Sequence, residues 1–322
     1  MPLSPDSTPL ASKPPAISVV IPSYNCAHYV TQAVDSALAQ SVPVDEIIVV
    51  DNGSSDDTPQ VLARYGDRVR YAFQPNRGIS NARNRGISMA RGELIAFLDA
   101  DDVWLPEKLE KQLQCLAANP EAGLVHTDIL HWDDRTGELQ HRPQGRERFV
   151  GRCKREFFWH CRVHTSSVLV TRRCLEAVGS FDESIPGGYA EDLDLFQRIA
   201  RQFALAFVPE PLVHYRQHDH NATLNALRMA ESNFYVYRRA LMADPELWTM
   251  LGRKAVRSYL QHLAFMAGYT NAEAGELRRA RDYFGSAVSY GPTSPYLWML
   301  WGSTFVPLSM RQWLRSLKQR VA

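Results

Sequence analysis

The chain holds 322 residues, with 36 lysines and arginines against 35 aspartates and glutamates, a formal net charge of +1. At about 150 residues per domain this is one large domain or two ordinary ones, and the charge balance excludes a dedicated non-specific nucleic-acid binder. Charged residues make up 22% and hydrophobic residues 45%, a globular composition that excludes a disordered chain.

Residues 1–15 are rich in Pro and Ser and read as a flexible lead-in without the apolar stretch of a signal peptide. Residues 16–21 form an apolar run that stops at Pro22, which reads as a buried strand. Residues 29–40 carry Val30, Val34, Ala37 and Leu38 at helical spacing. A second apolar strand, 46–50, ends at Asp51. Asn52 to Asp57 form a polar loop, and Asp56 or Asp57 can cap the short helix after it, because a carboxylate accepts from free helical N–H groups. A third strand is expected over 69–73. Asn76-Arg77-Gly78 then turns the chain into a helix running to Ala90. A fourth strand, 93–98, exits into Asp99-Ala100-Asp101-Asp102, and Pro106 opens a helix to about Ala118.

Near-continuous apolar strands alternating with helices predict a parallel sheet covered on both faces. Ligands bind such sheets beyond the carboxyl ends of the strands, where Pro22, Asp51 and Asp99 sit. After Val125 the pattern changes. Residues 129–150 read as a hairpin and loop, 167–170 as a short strand, and 173–178 as a short helix. A helix is expected over 191–202, then a strand over 204–208 closed by Pro209. Residues 16–224 read as one catalytic domain and 225–322 as a helical region, with a helix–turn–helix over 271–289.

Asp99-Ala100-Asp101 places two carboxylates at one strand exit. Hard oxygen ligands of this kind suit Mg²⁺ or Mn²⁺ bridging to a diphosphate; the competing reading is a solvated turn that caps the next helix, and Asp102 reads as local support. Gly187-Gly188-Tyr189-Ala190-Glu191-Asp192 brings flexible backbone to two acids. These serve either a helix N-terminus, where negative charge is favourable, or a general base facing a hydroxyl. Asp194 and Arg198 read as an i,i+4 ion pair. His214, His218 and His220 cluster after Pro209, but no cysteine accompanies them as in zinc sites. The dinucleotide fingerprint, the phosphate loop and the nucleophile elbow are all absent. The five cysteines form no Cys-x-x-Cys pair, which argues for a reducing compartment.

Taken in order, these segments resemble family 2 glycosyltransferases of the A-type fold. The match rests on Val20-Ile21-Pro22-Ser23-Tyr24-Asn25, on Val49-Val50-Asp51-Asn52-Gly53-Ser54 with Ser55-Asp56-Asp57-Thr58, and on Asn76-Arg77-Gly78 with Ala82-Arg83-Asn84. It continues through Phe97-Leu98-Asp99-Ala100-Asp101-Asp102, Glu191-Asp192-Leu193-Asp194 and Tyr215-Arg216-Gln217-His218. The resemblance implies an α/β, Rossmann-like fold with a mostly parallel central sheet and a C-terminal helical extension. It further implies that Pro22, Tyr24 and Asp51 line the base pocket, with Asn76 and Arg83 near the donor. Asp99, Asp101 and His218 would hold Mn²⁺ or Mg²⁺, and Gly187 and Gly188 would approach the donor sugar or the acceptor. Asp192 would be the catalytic base, supported by Glu191.

The reaction so implied inverts the anomeric centre and moves one sugar, or a few, from a nucleotide sugar, with UDP first. The acceptor would be a glycan or lipid-linked glycan of surface-polysaccharide or lipopolysaccharide type. No Gln-x-x-Arg-Trp motif follows Asp192, which speaks against processive synthesis. A nucleotidyltransferase, or an inactive carbohydrate-binding protein, is the competing class. No run of 18 apolar residues exists, so a cytoplasmic location is expected. Residues 295–322 interleave tryptophans and leucines with Arg311, Arg315, Lys318 and Arg320, and 309–320 suit a basic amphipathic helix. This tail packs on residues 225–290, covers a homodimer seam, or lies on the anionic inner face of the membrane.

Overall fold

The computed structural model describes residues 15–142, 149–159, 161, 163–219, 225–291 and 295–305. In chain order the elements are β1 (Ile17–Ser23), α1 (Val30–Leu38), β2 (Glu46–Asp51), α2 (Thr58–Ala63), β3 (Arg70–Phe73), α3 (Ile79–Met89) and β4 (Leu94–Phe97). Next come β5 (Val103–Trp104), α4 (Lys108–Ala118), β6 (Ala122–Asp133), β7 (Leu139–His141), α5 (Lys154–Trp159), β8 (Leu169–Thr171), α6 (Arg172–Val178), α7 (Glu191–Gln202) and β9 (Ala204–Gln217). The helices α8 (Ala226–Ala243), α9 (Glu246–Met250), α10 (Arg253–Glu273), α11 (Leu277–Ser289) and α12 (Pro295–Ser303) complete the described chain.

The strands form one sheet in the order β3-β2-β1-β4-β8-β6-β9-β5, with β7 hydrogen-bonded to β6. β1 is parallel to both β2 and β4, and β6 is parallel to β9. β8 runs against both of its neighbours, β4 and β6, so β6 and β9 point the same way as β1–β4. The result is a mostly parallel Rossmann-like sheet with reversed strands at β5, β7 and β8. The order of connection reverses at β1, because the chain moves outward through β2 and β3 and then returns to add β4 on the other side. A crevice at such a switch point is the expected ligand site. Pro22 and the Asp99–Asp101 turn stand on its two sides.

The sheet is buried on both faces, as its apolar strands require. Ile17, Val19 and Ile21 pack with Val30, Val34 and Leu109 on the face covered by α1 and α4. Val20, Ile48 and Phe97 point the other way, into a cluster with Ala82, Leu195, Phe196 and Ile199 on α3 and α7. A third cluster joins Phe158, Ile185, Ala190 and Leu193 to Phe234, Tyr237, Leu260 and Phe284. The helical extension therefore shares a core with the segment that opens α7. The turn expected within 271–289 lies between α10 and α11.

The strand expected to end at Pro209 instead continues to Gln217. Its pairing jumps from Val208 opposite Thr127 to Pro211 opposite Asp128. Two residues are thus accommodated in a bulge, where a proline lacking its N–H is tolerated. The two-residue strand β5 carries no readable period. Asp56, rather than Asp57, serves α2: its Oδ1 accepts from the Thr58 amide at 3.1 Å and its Oδ2 from the Ala27 amide at 2.9 Å. The Asp194–Arg198 pair forms at 2.8 Å, and the described cysteines, all five, are free thiols. Residues 309–320, the basic helix expected from sequence, lie outside the described residues, as does His220.

Helix α3 reaches the sheet through a glycine. A Cβ built on Gly86 would stand 2.3 Å from Val20 Cγ1, in the middle of β1. Gly86→Ala is expected to destabilise the protein by roughly 1–3 kcal/mol, read as a lower denaturant midpoint, and the double variant with Val20→Ala is expected to recover part of the loss.

Candidate active site

A cleft of about 650 Å³ opens at the switch point, within the size range of small-molecule sites. One wall carries Pro22, Tyr24, Asp99 and Asp101 from the ends of β1 and β4. The other carries Tyr189, Glu191 and Asp192 from the loop into α7, and Met229, Asn233, Tyr237 and Tyr259 from the helical extension.

Arg83 ties these walls together. Its side chain is 2% exposed. One terminal nitrogen donates to Asp99 Oδ1 at 2.6 Å, the other pairs with Glu191 Oε1, and the guanidinium lies 5.2 Å from the Phe181 ring centroid. One cation therefore serves two acids, while Asp101, Asp102 and Asp192 stand nearby. Burial raises the Asp99 and Glu191 carboxyl pKa values, Glu191 to about 7, and neighbouring acids raise them further. Asp102 is also raised, by burial and by Asp101 and Asp99. It is fully internal, accepting from the Ser166 hydroxyl at 2.5 Å and the Arg216 amide at 3.0 Å, the support role its position suggested.

His218 Nε2 lies 3.0 Å from Asp101 Oδ2. The imidazole stacks on Tyr29, with centroids 5.2 Å apart. Behind it, Arg216 donates to the Asp101 carbonyl at 2.8 Å, to Asp134 Oδ1 at 2.6 Å and to Gln32 Oε1 at 2.7 Å. Its guanidinium is held between the Tyr29 and Trp132 rings, 4.6 and 3.8 Å from their centroids. His214 lies earlier on β9, with its backbone opposite Val103, and its ring meets Trp132 edge-on. Among the described residues, no group of three or more His, Cys, Asp or Glu side chains forms a metal cage.

Asp192 is half-buried on the cleft wall. Its Oδ1 accepts from the Leu193 amide at 2.7 Å and its Oδ2 from the Thr165 hydroxyl at 3.4 Å. Ala190, just before α7, has φ of 58°, a left-handed conformation that costs a non-glycine residue energy and is found at functional sites.

Other residues singled out from sequence stand apart from the cleft. Asp51 is fully buried; Tyr71 and Ser54 donate to its two oxygens at 2.7 and 2.8 Å. Asn76 is exposed and accepts from Asn52 at 3.1 Å and from the Gly78 amide at 3.0 Å. Gly187 approaches α8, where an added Cβ would stand 3.0 Å from both the Arg228 carbonyl and the Ser232 hydroxyl. Sequence reasoning assigned no role to Arg216, although it lies inside a quoted motif, and missed Ser166 and the α8 residues. The latter carry a signal, since 229, 233 and 237 repeat every four residues.

Acidic side chains thus converge at the switch point of a doubly covered sheet, where ligands of such folds bind. The model of "Glycosyl transferase family 2" matches residues 18–175. An uncharacterized glycosyltransferase of Rickettsia typhi is 32% identical over 220 residues, covering 67% of this chain and 69% of that protein. The succinoglycan biosynthesis protein ExoO of Rhizobium meliloti is 38% identical over 145 residues, 42% of each chain. The fold is shared with S. aureus TarS 1–349 in complex with UDP, at a TM-score of 0.64, 17% identity and coverage of 86% of this chain and 81% of that one. It is shared too with the mannosyltransferase PcManGT of Pyrobaculum calidifontis in complex with GDP-Man and Mn²⁺, at 0.61, 20% identity and coverage of 94% and 84%. The chain belongs to glycosyltransferase family 2 and is an enzyme of the A-type fold. The nucleotidyltransferase and inactive-binder readings give way to glycosyl transfer.

Raised carboxyl pKa values mean that the folded chain retains protons that the unfolded chain has released. For Glu191 this costs stability as pH climbs from about 4.3, the ordinary glutamate value, to the folded value of about 7. Melting temperature is expected to fall between about pH 5 and about pH 8, and Glu191→Gln is expected to flatten the slope. An equal slope in both proteins would remove Glu191 as its source.

Proposed function

We propose that the enzyme transfers a single sugar, with inversion, from a nucleotide-sugar donor to a hydroxyl of a glycan or lipid-linked glycan, with a UDP-sugar as first candidate and Mn²⁺ or Mg²⁺ as cofactor. One observation carries this reading: five carboxyl groups, Asp99, Asp101, Asp102, Glu191 and Asp192, line one cleft, and its one lining guanidinium, Arg83, is already engaged by two of them. A cation would offset the repulsion between these acids and a diphosphate. Asp99, Asp101 and His218 fit that group, as two hard carboxylates and an imidazole next to one of them. Magnesium-type ions take one or two carboxylates plus substrate phosphates rather than a full protein cage, so the lack of a third clustered ligand among the described residues is compatible with it. The ion, when bound, would offset charge developing on the diphosphate.

The chain's own residues supply the rest. Pro22 and Tyr24 on the cleft wall would flank the base. Asp51 and Asn76 would fix the loop beside it, through Tyr71, Ser54 and Asn52. Asp192, with one oxygen held by its own helix and the other weakly engaged by Thr165, would accept the acceptor's proton. Glu191, locked on Arg83, would hold Asp192 in register.

The test is a panel of nucleotide sugars with Mn²⁺, followed by melting temperature and nucleotide release. Asp101→Ala is expected to lose nearly all turnover while remaining folded. Asp192→Asn is expected to keep the nucleotide-dependent melting shift and lower kcat by at least about 100-fold. Chelator-insensitive turnover together with an active Asp101→Ala protein would overturn the metal assignment.

The described part of the tail packs on the helical extension, with Leu297 buried in the third core cluster and Trp301 against it, and we infer a further contact of its outer face with a membrane surface. Among the described residues no helix is long and apolar enough to cross a membrane, yet Tyr296, Trp298, Met299 and Phe305 are about half exposed. Full-length protein is expected to sediment with anionic vesicles at low salt. Trp298→Ser with Met299→Ser is expected to sediment less. Equal pelleting of both proteins would move the contact elsewhere, and none would favour packing on the helical extension or a homodimer seam.

A further inference from the structure

Helix α8 turns one stripe toward the cleft. Met229, Asn233 and Tyr237 follow one another at four-residue spacing, which stacks side chains on a single helix face, and all three line the cleft together with Tyr259 of α10. The Tyr237 and Tyr259 rings meet edge-on, with centroids 5.0 Å apart, and their phenols are hydrogen-bonded to each other. The stripe's orientation is fixed by the loop before α7. Ser232 donates to the Pro186 carbonyl at 2.6 Å and accepts from the Tyr189 amide at 3.3 Å, and Gly187 comes close to α8, where an added Cβ would stand 3.0 Å from the Arg228 carbonyl. The same short segment thus sets both the stripe and the Asp192 carboxylate that shares the cleft wall with it.

We propose that this wall is the acceptor subsite, and that it selects a neutral sugar ring over a uronic acid or a phosphorylated one. The inference rests on the glycosyl-transfer reading above and deepens it. A sugar ring presents an apolar C–H face and a rim of hydroxyls. Met229 and the part-buried Tyr259 ring, backed by Tyr237, match the face, while the Asn233 amide and the Tyr259 phenol match the rim. The selection comes from charge. Arg83, the one guanidinium lining the cleft, is already engaged by Asp99 and Glu191, with Asp101 and Asp192 beyond it, and a cation bound among these acids would be taken up by the donor diphosphate. An anionic acceptor ring beside Asp192 would meet like charge without a counter-ion, and rejection by like charge is a strong source of specificity.

The test uses full-length protein and saturation-transfer NMR with p-nitrophenyl glucoside, galactoside and mannoside, alongside p-nitrophenyl glucuronide. At least one neutral glycoside is expected to bind, with the glucuronide at least about tenfold weaker. Asn233→Ala and Tyr259→Phe are expected to weaken the neutral ligand. Met229→Lys is expected to strengthen glucuronide binding above wild type, a gain that misfolding cannot produce. Equal affinity for glucuronide and neutral glycosides, or variants that bind as wild type does, would overturn the proposal. So would UDP–Mn²⁺ binding without binding of any neutral glycoside. The melting shift with UDP and Mn²⁺, read in parallel, keeps the two readings apart: glycoside binding at this wall with no nucleotide response would sink the donor assignment and leave the subsite standing.

Discussion

Everything in the cleft hangs on one buried guanidinium. Arg83 is carried by α3, Asp99 follows β4, and Glu191 opens α7, so the ion pairs join segments 16 and 108 residues away along the chain. A guanidinium cannot shed its proton to escape burial, and a buried charge left without its partner is strongly destabilising. The two acids are therefore held where the arginine needs them. The strand exit bearing Asp101 and the helix start bearing Asp192 are fixed relative to each other before any ligand arrives. Compensation is incomplete: one cation is set against two paired acids, and Asp101 and Asp192 remain on the cleft wall.

A second arginine does the corresponding work behind Asp101. Arg216 is almost fully buried and gathers the Asp101 carbonyl, the Asp102 carboxylate, Asp134 and Gln32 around the end of β9. Its planar group fits between two aromatic rings, a geometry in which arginine is favoured over lysine. His218 lies two residues farther on and stacks on one of those same rings, so its position follows from the packing of Arg216. The bulge at residues 209–210 belongs to this arrangement. Without it β9 would end early, and neither Arg216 nor His218 would reach the switch point.

The central strands were legible because each is a short apolar run ended by a polar exit, and burial on both faces demands that pattern. The carboxylates at Asp99, Asp101, Glu191 and Asp192 were legible for a related reason, since acids clustered at strand and helix ends stand out against apolar neighbours. The course of β9 was not, because proline is a strand terminator in local terms and only pairing with β6 absorbs it. Nor was the setting of Asp51, whose burial comes from a tyrosine on β3 and a turn amide. Arg216 draws its partners from segments near residues 32, 101, 134 and 216, and no local window contains them. Local patterns disclose which residues are acidic or apolar; they are silent on which distant groups neutralise them.

On the proposed reading, the helical extension separates the two halves of the reaction physically. β1, β4 and α3 set the donor side, through backbone pairing and the Arg83 pairs. α8 sets the opposite wall, and its contact with the donor side passes through the Pro186–Tyr189 turn. That turn is conformationally demanding: Gly187 and Gly188 have φ of 83° and 73°, and Ala190 follows at 58°. Glycine adopts such φ values freely, but Ala190 does so at a cost and persists only where surrounding contacts over-determine it, here the third core cluster that includes Ala190. A change on the cleft-facing stripe of α8 alters what the wall recognises while leaving the sheet untouched. A change at the Ser232 contact instead frees the turn, and with it the start of α7 and both of its acids. On the proposed reading, acceptor choice and catalytic geometry depend on neighbouring faces of the same helix, set by the adjacent residues Asn233 and Ser232.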